Sequence, residues 1–176
     1  MAKKLSLEEL KRMSISEFKE APKVPIIVVL DNIRSLSNIG SVFRTADAFR
    51  IEAVYLCGIT AKPPHREIHK TALSATESVE WKYFNNTIEA VEKLRKNNFR
   101  IVSIEQVDNS VMLNEFEPDP QCAYALVFGN EVHGVDENII ALSDKCVEIP
   151  QWGTKHSFNV SVSVGIALWD IALKLN

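Results

Sequence analysis

Cysteine is scarce: Cys57, Cys122 and Cys146 are the only three in 176 residues. No two stand close together, and each lies in or beside an apolar run. Reduced core thiols are therefore expected, not a disulfide framework or a thiolate metal site. Long apolar runs are also missing. The longest are broken by Asp, Asn, Ser or Gly, and none reaches the roughly 20 residues that span a bilayer. No apolar segment of the signal-peptide kind follows Met1-Ala-Lys-Lys, so a cytoplasmic protein is expected. An excess of basic charge is lacking: 20 Lys and Arg stand against 23 Asp and Glu, for a net charge of −3. That balance argues against a protein that coats nucleic acid without specificity, although a local basic patch still suffices for RNA. The chain has no Gly-x-x-x-x-Gly-Lys loop and no Gly-x-Ser-x-Gly elbow, which removes the main support for a nucleotide hydrolase or a serine hydrolase. His133 and His156 flank Glu131 and Ser157 in sequence, but neither has an evident orienting partner. His65 and His69 have the i, i+4 spacing of zinc ligands. Glu67 is misplaced for His-Glu-x-x-His and no third ligand stands out, so no metal is expected.

What is present is an alternation of strand-like and helix-like segments, without internal repeat or low-complexity tract. The length fits one domain. Ser6-Leu-Glu-Glu9 and Ser14-Ile-Ser-Glu17 both read as capping boxes, so residues 6–20 are expected to form one or two short helices. They belong to an N-terminal arm over residues 1–23, ended by Pro22 and Pro25, ahead of a main domain over 24–176. Strands are expected at Ile26–Asp31, Ala53–Cys57, Val79–Tyr83, Arg100–Glu105, Ala123–Phe128 and Lys145–Ile149. Helices are expected at Asn38–Phe49, Thr87–Asn97, Asp136–Leu142 and Ser157–Leu175. Pro118 and Pro120 mark Asp108–Gln121 as a loop. Val160, Val162 and Val164 alternate with serines, which by period alone reads as strand, whereas the continuation through Leu173 is longer than strands run. The pattern as a whole predicts an α/β fold: a mostly parallel sheet covered by helices on both faces.

Three motifs lie on this frame in order. Asn38-Ile-Gly40-Ser-Val-Phe-Arg44 follows the first strand. Gly129-Asn-Glu131-Val-His-Gly134 follows the strand that ends at Phe128. Ile149-Pro150, Gly153 and Ser157-Phe-Asn159-Val-Ser161 lead into the last helix. Ser157 and Asn159 both favour a helix N-terminus, and two such residues are more than one cap requires. A basic segment, Lys62 to Lys70, holds His65, Arg66 and Lys70. From sequence it is equally a patch for a polyanion or a solvated loop.

Together the motifs resemble those of the SpoU-type RNA ribose methyltransferases, the TrmH-like branch of the SPOUT superfamily, over nearly the whole chain after the first two dozen residues. The chain departs from the pattern at Gln151, where Met is usual, and at Phe158, where Leu is usual. The resemblance implies a C-terminal deep trefoil knot whose loops hold S-adenosylmethionine, and a homodimer whose sites are completed across the interface. It implies methyl transfer from S-adenosylmethionine to a ribose 2′-hydroxyl of RNA, with tRNA favoured over ribosomal RNA because no added RNA-binding domain is visible. A non-catalytic RNA-binding module on the same fold is the alternative from another class. By the same resemblance Arg44, Asn38, Glu131, Ser157 and Asn159 form the catalytic set. Phe128, Gly129, Ile149, Gln151 and Phe158 hold the donor, and Arg34, His65, Arg66 and Lys70 are candidates for RNA contact. Literal proton abstraction by Arg44 conflicts with the near-permanent charge of guanidinium. An electrostatic role at the 2′ oxygen is expected instead.

Overall fold

The computed structural model describes residues 2–6 and 9–175. Seven strands form one parallel sheet: β1 (Val24–Asp31), β2 (Ile51–Cys57), β3 (Glu80–Phe84), β4 (Phe99–Ile104), β5 (Val111–Met112), β6 (Ala123–Phe128) and β7 (Lys145–Glu148), ordered β3-β2-β1-β6-β4-β7-β5. The helices are α1 (Ile15–Glu20), α2 (Leu36–Ala48), α3 (Arg66–Ala72), α4 (Ala75–Ser78), α5 (Thr87–Lys96), α6 (Glu137–Leu142) and α7 (Val160–Leu175).

The period of two along the central strands divides the core. Ile26, Val28 and Leu30 of β1 and Leu126 and Phe128 of β6 point into one cluster, closed by Ile39 and Phe43 of α2 and Val164, Leu168 and Ile171 of α7. Ile27 and Val29 of β1 and Ala125 and Val127 of β6 point the other way, onto Val91 and Leu94 of α5 and Ile139 of α6. A parallel strand buried on both faces must be apolar at every position, which is why β1 and β6 read as continuous runs. Phe18 of the arm joins the first cluster. At the start of α1 the box between Ser14 and Glu17 is closed on both sides. Ser6 and Glu9 likewise exchange hydrogen bonds, from Ser6 N–H to Glu9 Oε2 at 2.7 Å and from Glu9 N–H to Ser6 Oγ at 3.3 Å.

The expected strands and helices form, with shifts at their ends. The valine–serine alternation resolves as helix, since Val160, Val164, Ala167, Leu168 and Ile171 are the buried positions of α7 and lie on one face at helical spacing. That helix starts at Val160, not Ser157. The sequence from Asp108 to Gln121 is less loop-like than expected: it holds the edge strand β5 and a 3-10 turn at Leu113–Glu115. A two-residue edge strand is too short to show a period. The basic segment contains α3, capped by His65, whose Nδ1 accepts from the Glu67 N–H at 3.2 Å.

Candidate functional site

β1, β4, β6 and β7 all end at the same edge of the sheet, where ligands of open α/β sheets collect. Residues just beyond these ends line a cavity of about 530 Å³: Glu105 and Gln106 after β4, Gly129 to Gly134 after β6, Ile149 and Gln151 after β7, and His156 to Val160 before α7. Phe128, Gly129, Ile149, Gln151 and Phe158, the five residues expected to hold a donor, all line it. Its size and mixed lining suit a nucleoside-sized ligand, with apolar walls at Phe128, Ile149 and Phe158 for a flat ring. The substituted residue Gln151 donates from Nε2 to the His156 carbonyl at 3.3 Å and so closes the loop between them.

The loop after β6 is folded back on itself. Asn130 N–H donates to the Gly134 carbonyl and Gly134 N–H returns the bond, each at 2.9 Å. Gly134 has φ +70°, and a Cβ there would lie 2.3 Å from Glu105 Oε2; this turn requires glycine. Asn130 stitches the loop to the end of β1 through Nδ2 and the Asn32 carbonyl, 2.6 Å away. Asp31, 2% exposed, accepts from Thr87 Oγ1, from Asn32 Nδ2 at 2.9 Å and from the Asp136 N–H at 3.1 Å. It therefore ties the starts of α5 and α6 to the same strand end.

The loop so held presents Glu131. Its Oε2 accepts from the Arg34 N–H at 3.0 Å; its Oε1 accepts from the Ser35 N–H at 3.0 Å and from Asn38 Nδ2 at 3.2 Å. Partial burial pushes this carboxyl up, but the N–H groups of Arg34, of Glu131 itself and of Ser35, with the Asn38 amide, outweigh it and hold the pKa below the ordinary value. Glu131 is thus an ionised carboxylate occupied as an acceptor at the start of α2. That is a positioning group, not a base awaiting a proton.

α2 starts at Leu36, two residues ahead of the Asn38 start expected from sequence. The cap is Ser35, whose Oγ accepts from the Asn38 N–H at 3.3 Å. Asn38 lies inside the first turn, buried, with Nδ2 given to Glu131 and Oδ1 accepting from Asn159 Nδ2 at 3.1 Å. Asn159 Oδ1 in turn accepts from the Ser161 N–H at 2.9 Å and the Ser161 hydroxyl at 2.7 Å. One amide therefore does two jobs: its oxygen caps α7 and its nitrogen joins motif three to motif one. Residues 93 and 121 positions apart meet in a single chain of hydrogen bonds.

Not every expected residue joins them. Ser157 lines the cavity beside Asn159, and among the described residues no hydrogen bond links it to His133 or His156. Arg44 lies six residues beyond Asn38 on α2, roughly 9 Å up the axis and roughly 120° around it. It is exposed and lines a second cleft, between α2, the arm and the end of α7. Arg34 is exposed at the rim beside Glu131. His65 and Arg66 line a third cleft with Trp81, and Lys70 pairs with Glu67 at 2.8 Å. The motifs did not point to Glu105, Gln106 and Glu148 as cavity-lining residues. Their one sequence signal is their place at or just beyond a strand end on the ligand edge. Among the described residues no group of three or more His, Cys, Asp or Glu could hold a metal ion, and no helix is long and apolar enough to cross a membrane.

Against known proteins, the model of the SpoU rRNA Methylase family matches residues 25–169. The chain is 31% identical over 166 residues to a tRNA (guanosine(18)-2′-O)-methyltransferase of Aquifex aeolicus, covering 93% of this chain and 75% of that one. It is 31% identical over 144 residues to the 23S rRNA (guanosine-2′-O-)-methyltransferase RlmB of Neisseria meningitidis serogroup B, covering 82% of this chain but only 56% of that one. The crystal structure of the A. aeolicus TrmH/SpoU tRNA modifying enzyme superposes with a TM-score of 0.79 at 26% identity, over 91% of this chain and 79% of that one. An AdoMet-bound rRNA methyltransferase from Sinorhizobium meliloti superposes with a TM-score of 0.78 at 24% identity, over 87% and 58%, a likeness of fold alone.

Proposed function

The chain belongs to the SpoU rRNA methylase family, and on that premise we propose that it transfers the methyl group of S-adenosylmethionine to a ribose 2′-hydroxyl of RNA, with tRNA as substrate. The observation that carries this reading is the hydrogen-bonded chain from Glu131 through Asn38 to Asn159, standing at the mouth of a nucleoside-sized cavity. Cofactor and fold fit: the cavity is lined by the residues that the family resemblance assigns to the donor, and Phe128, Ile149 and Phe158 would supply walls for an adenine ring.

S-adenosylmethionine supplies an activated methyl group, because its sulfonium is a good leaving group. The chain's task lies with the acceptor, a weakly acidic hydroxyl that must be held in line and whose developing negative charge must be met. Asn38 and Asn159, fixed by each other and by Glu131, order the wall against which the ribose is set. Arg44 supplies the positive charge. It keeps its proton and stabilises the 2′ oxygen and the adjoining phosphate, while the hydroxyl proton leaves to phosphate or water. Arg44 opens on the neighbouring cleft, which fits an acceptor site assembled between two copies of the chain. The apolar stripe Val162, Trp169 and Leu173 on the outer face of α7, with Trp152 92% exposed nearby in sequence, fits a surface covered in a homodimer. Such an enzyme meets its RNA in the cytoplasm.

The relative named as a tRNA methyltransferase is matched at 31% identity over 93% of this chain and the ribosomal one at 31% over 82%; the fuller match within this chain supports tRNA. The test offers labelled S-adenosylmethionine and the purified protein to unmodified total RNA, which is then separated by size. Label in tRNA at one alkali-resistant linkage is expected. Label confined to ribosomal RNA would overturn the substrate and keep the chemistry. No label and no donor binding by calorimetry would leave a non-catalytic module.

A further inference from the structure

The second cleft has a volume of about 730 Å³ and four cationic side chains in its lining: Lys11 and Arg12 from the arm, Arg44 from α2 and Arg50 just after it. Among the described residues its one acidic side chain, Asp47, is engaged by the Ser78 hydroxyl. Arg50 follows the C-cap of α2. Its backbone takes φ +51°, a left-handed conformation that favours glycine or asparagine and costs a long side chain. Its Nε is buried with no hydrogen-bond partner among the described residues, although a buried guanidinium nitrogen is expensive to leave unpaired. The backbone bonds of Arg50 do not require an arginine. The backbone N–H donates to the Asp47 carbonyl at 2.9 Å and the carbonyl accepts from the Val24 N–H at 3.0 Å, bonds that any residue can make. Among the described residues Arg50 makes no ion pair, so the wall that carries Arg44 holds a second guanidinium with no carboxylate against it.

We propose that Arg50 is an RNA-binding residue that takes a backbone phosphate of the acceptor strand, so that this cleft is the path by which RNA reaches Arg44. The assignment rests on the reading of the chain as an RNA methyltransferase. A guanidinium fork matches phosphate geometry, and the surplus of positive charge in the cleft favours phosphate over a carboxylate of a second copy. Arg50 binds and does not take part in the chemistry. Its loss should act on RNA affinity and KM, not on kcat or donor affinity.

Arg50→Gly is the informative variant, because glycine relieves the left-handed strain while removing the cation. Its melting temperature should equal or exceed that of the unaltered protein. Its Kd for unmodified tRNA should rise about tenfold, the size of one charge-assisted hydrogen-bond set. The slope of log Kd against log salt should fall by about 1, as for one lost phosphate contact. Arg50→Lys should recover part of the affinity through its charge without the fork. Unchanged tRNA affinity and salt slope in Arg50→Gly would overturn the assignment, as would a lowered melting temperature with unchanged slope, which marks a structural role. A weakened homodimer in sedimentation, with tRNA affinity lost only in proportion, would assign Arg50 to a carboxylate of the second copy instead. These outcomes stand apart from the fate of the activity itself: if the unaltered protein methylates RNA, the functional reading holds whatever Arg50 does.

Discussion

Glu131 accepts three hydrogen bonds from the start of α2, and these donors hold its pKa below that of the unfolded chain despite partial burial. The sign of the linkage follows. Its contribution to stability is fully present above the unfolded pKa and is lost as pH falls through the lowered folded value. Urea denaturation at a series of pH values should show stability falling on the acid side, and Glu131→Gln should make that fall shallower; an equally steep acid limb in the variant would remove Glu131 from the account. Arg44→Ala should abolish methyl transfer while leaving donor affinity within about twofold by calorimetry, because the role proposed for it lies on the acceptor side only. Normal turnover by that variant would remove it from the mechanism. Cys57 is buried, and burial pushes its thiol up to about 12, so the thiolate is scarce at neutral pH. A water-soluble thiol reagent should therefore titrate Cys122 and Cys146 in the native protein and reach Cys57 only after unfolding. Identities alone made these side chains candidates. Which oxygen of Asn38 or Asn159 is donated to, and by what, depends on partners more than ninety residues away.

Among the elements, α2 links the two clefts, because Asn38 in its first turn bonds Glu131 and Asn159 and its far end opens on the cationic cleft. Its position against α3 depends on Gly40: a Cβ there would lie 2.0 Å from Thr71 Oγ1 and 2.3 Å from the Ile68 carbonyl oxygen. Gly40→Ala gains helix propensity, but it must push α3 away. A net destabilisation of about 1–3 kcal/mol is expected from overpacking, read as a lower urea midpoint at unchanged slope; a stabilised variant would contradict the close approach. The strands were legible because buried parallel strands are unbroken apolar runs bounded by polar residues, as β1 and β6 are. The last helix was legible from its length once its valine–serine start was set aside. α3 was not, because seven residues with two buried side chains, Ile68 and Ala72, leave almost no period to detect. The helix start at Asn38 was misplaced by two residues for a related reason: Ser35 is as good a cap as Asn38, and only the backbone geometry chooses between them.

For the whole molecule, the proposed homodimer would cover the exposed stripe of α7 and tie assembly to activity. Trp169→Glu puts a charge in the middle of that stripe and should yield a monomer by sedimentation, with methyl transfer lost and the fold retained by circular dichroism. A fully active monomer would refute the shared site. Mixing the inactive variants Arg44→Ala and Asn159→Ala offers the complementary check: if Arg44 serves the partner's site, mixed dimers contain one unaltered site and activity returns, whereas no recovery keeps Arg44 within its own protomer. By itself the sequence determined the α/β class and most strand and helix positions, and it named candidates for donor binding and catalysis, because apolar periodicity, helix caps and motif residues are local properties written in short windows. Only the tertiary structure decided the strand order, the joining of Asn38, Glu131 and Asn159, the lowered pKa of Glu131, the opening of Arg44 on a separate cleft and the place of Arg50 beside it. Each of those depends on distances between segments far apart in the chain, and such distances are set by how two faces of one sheet are buried at once.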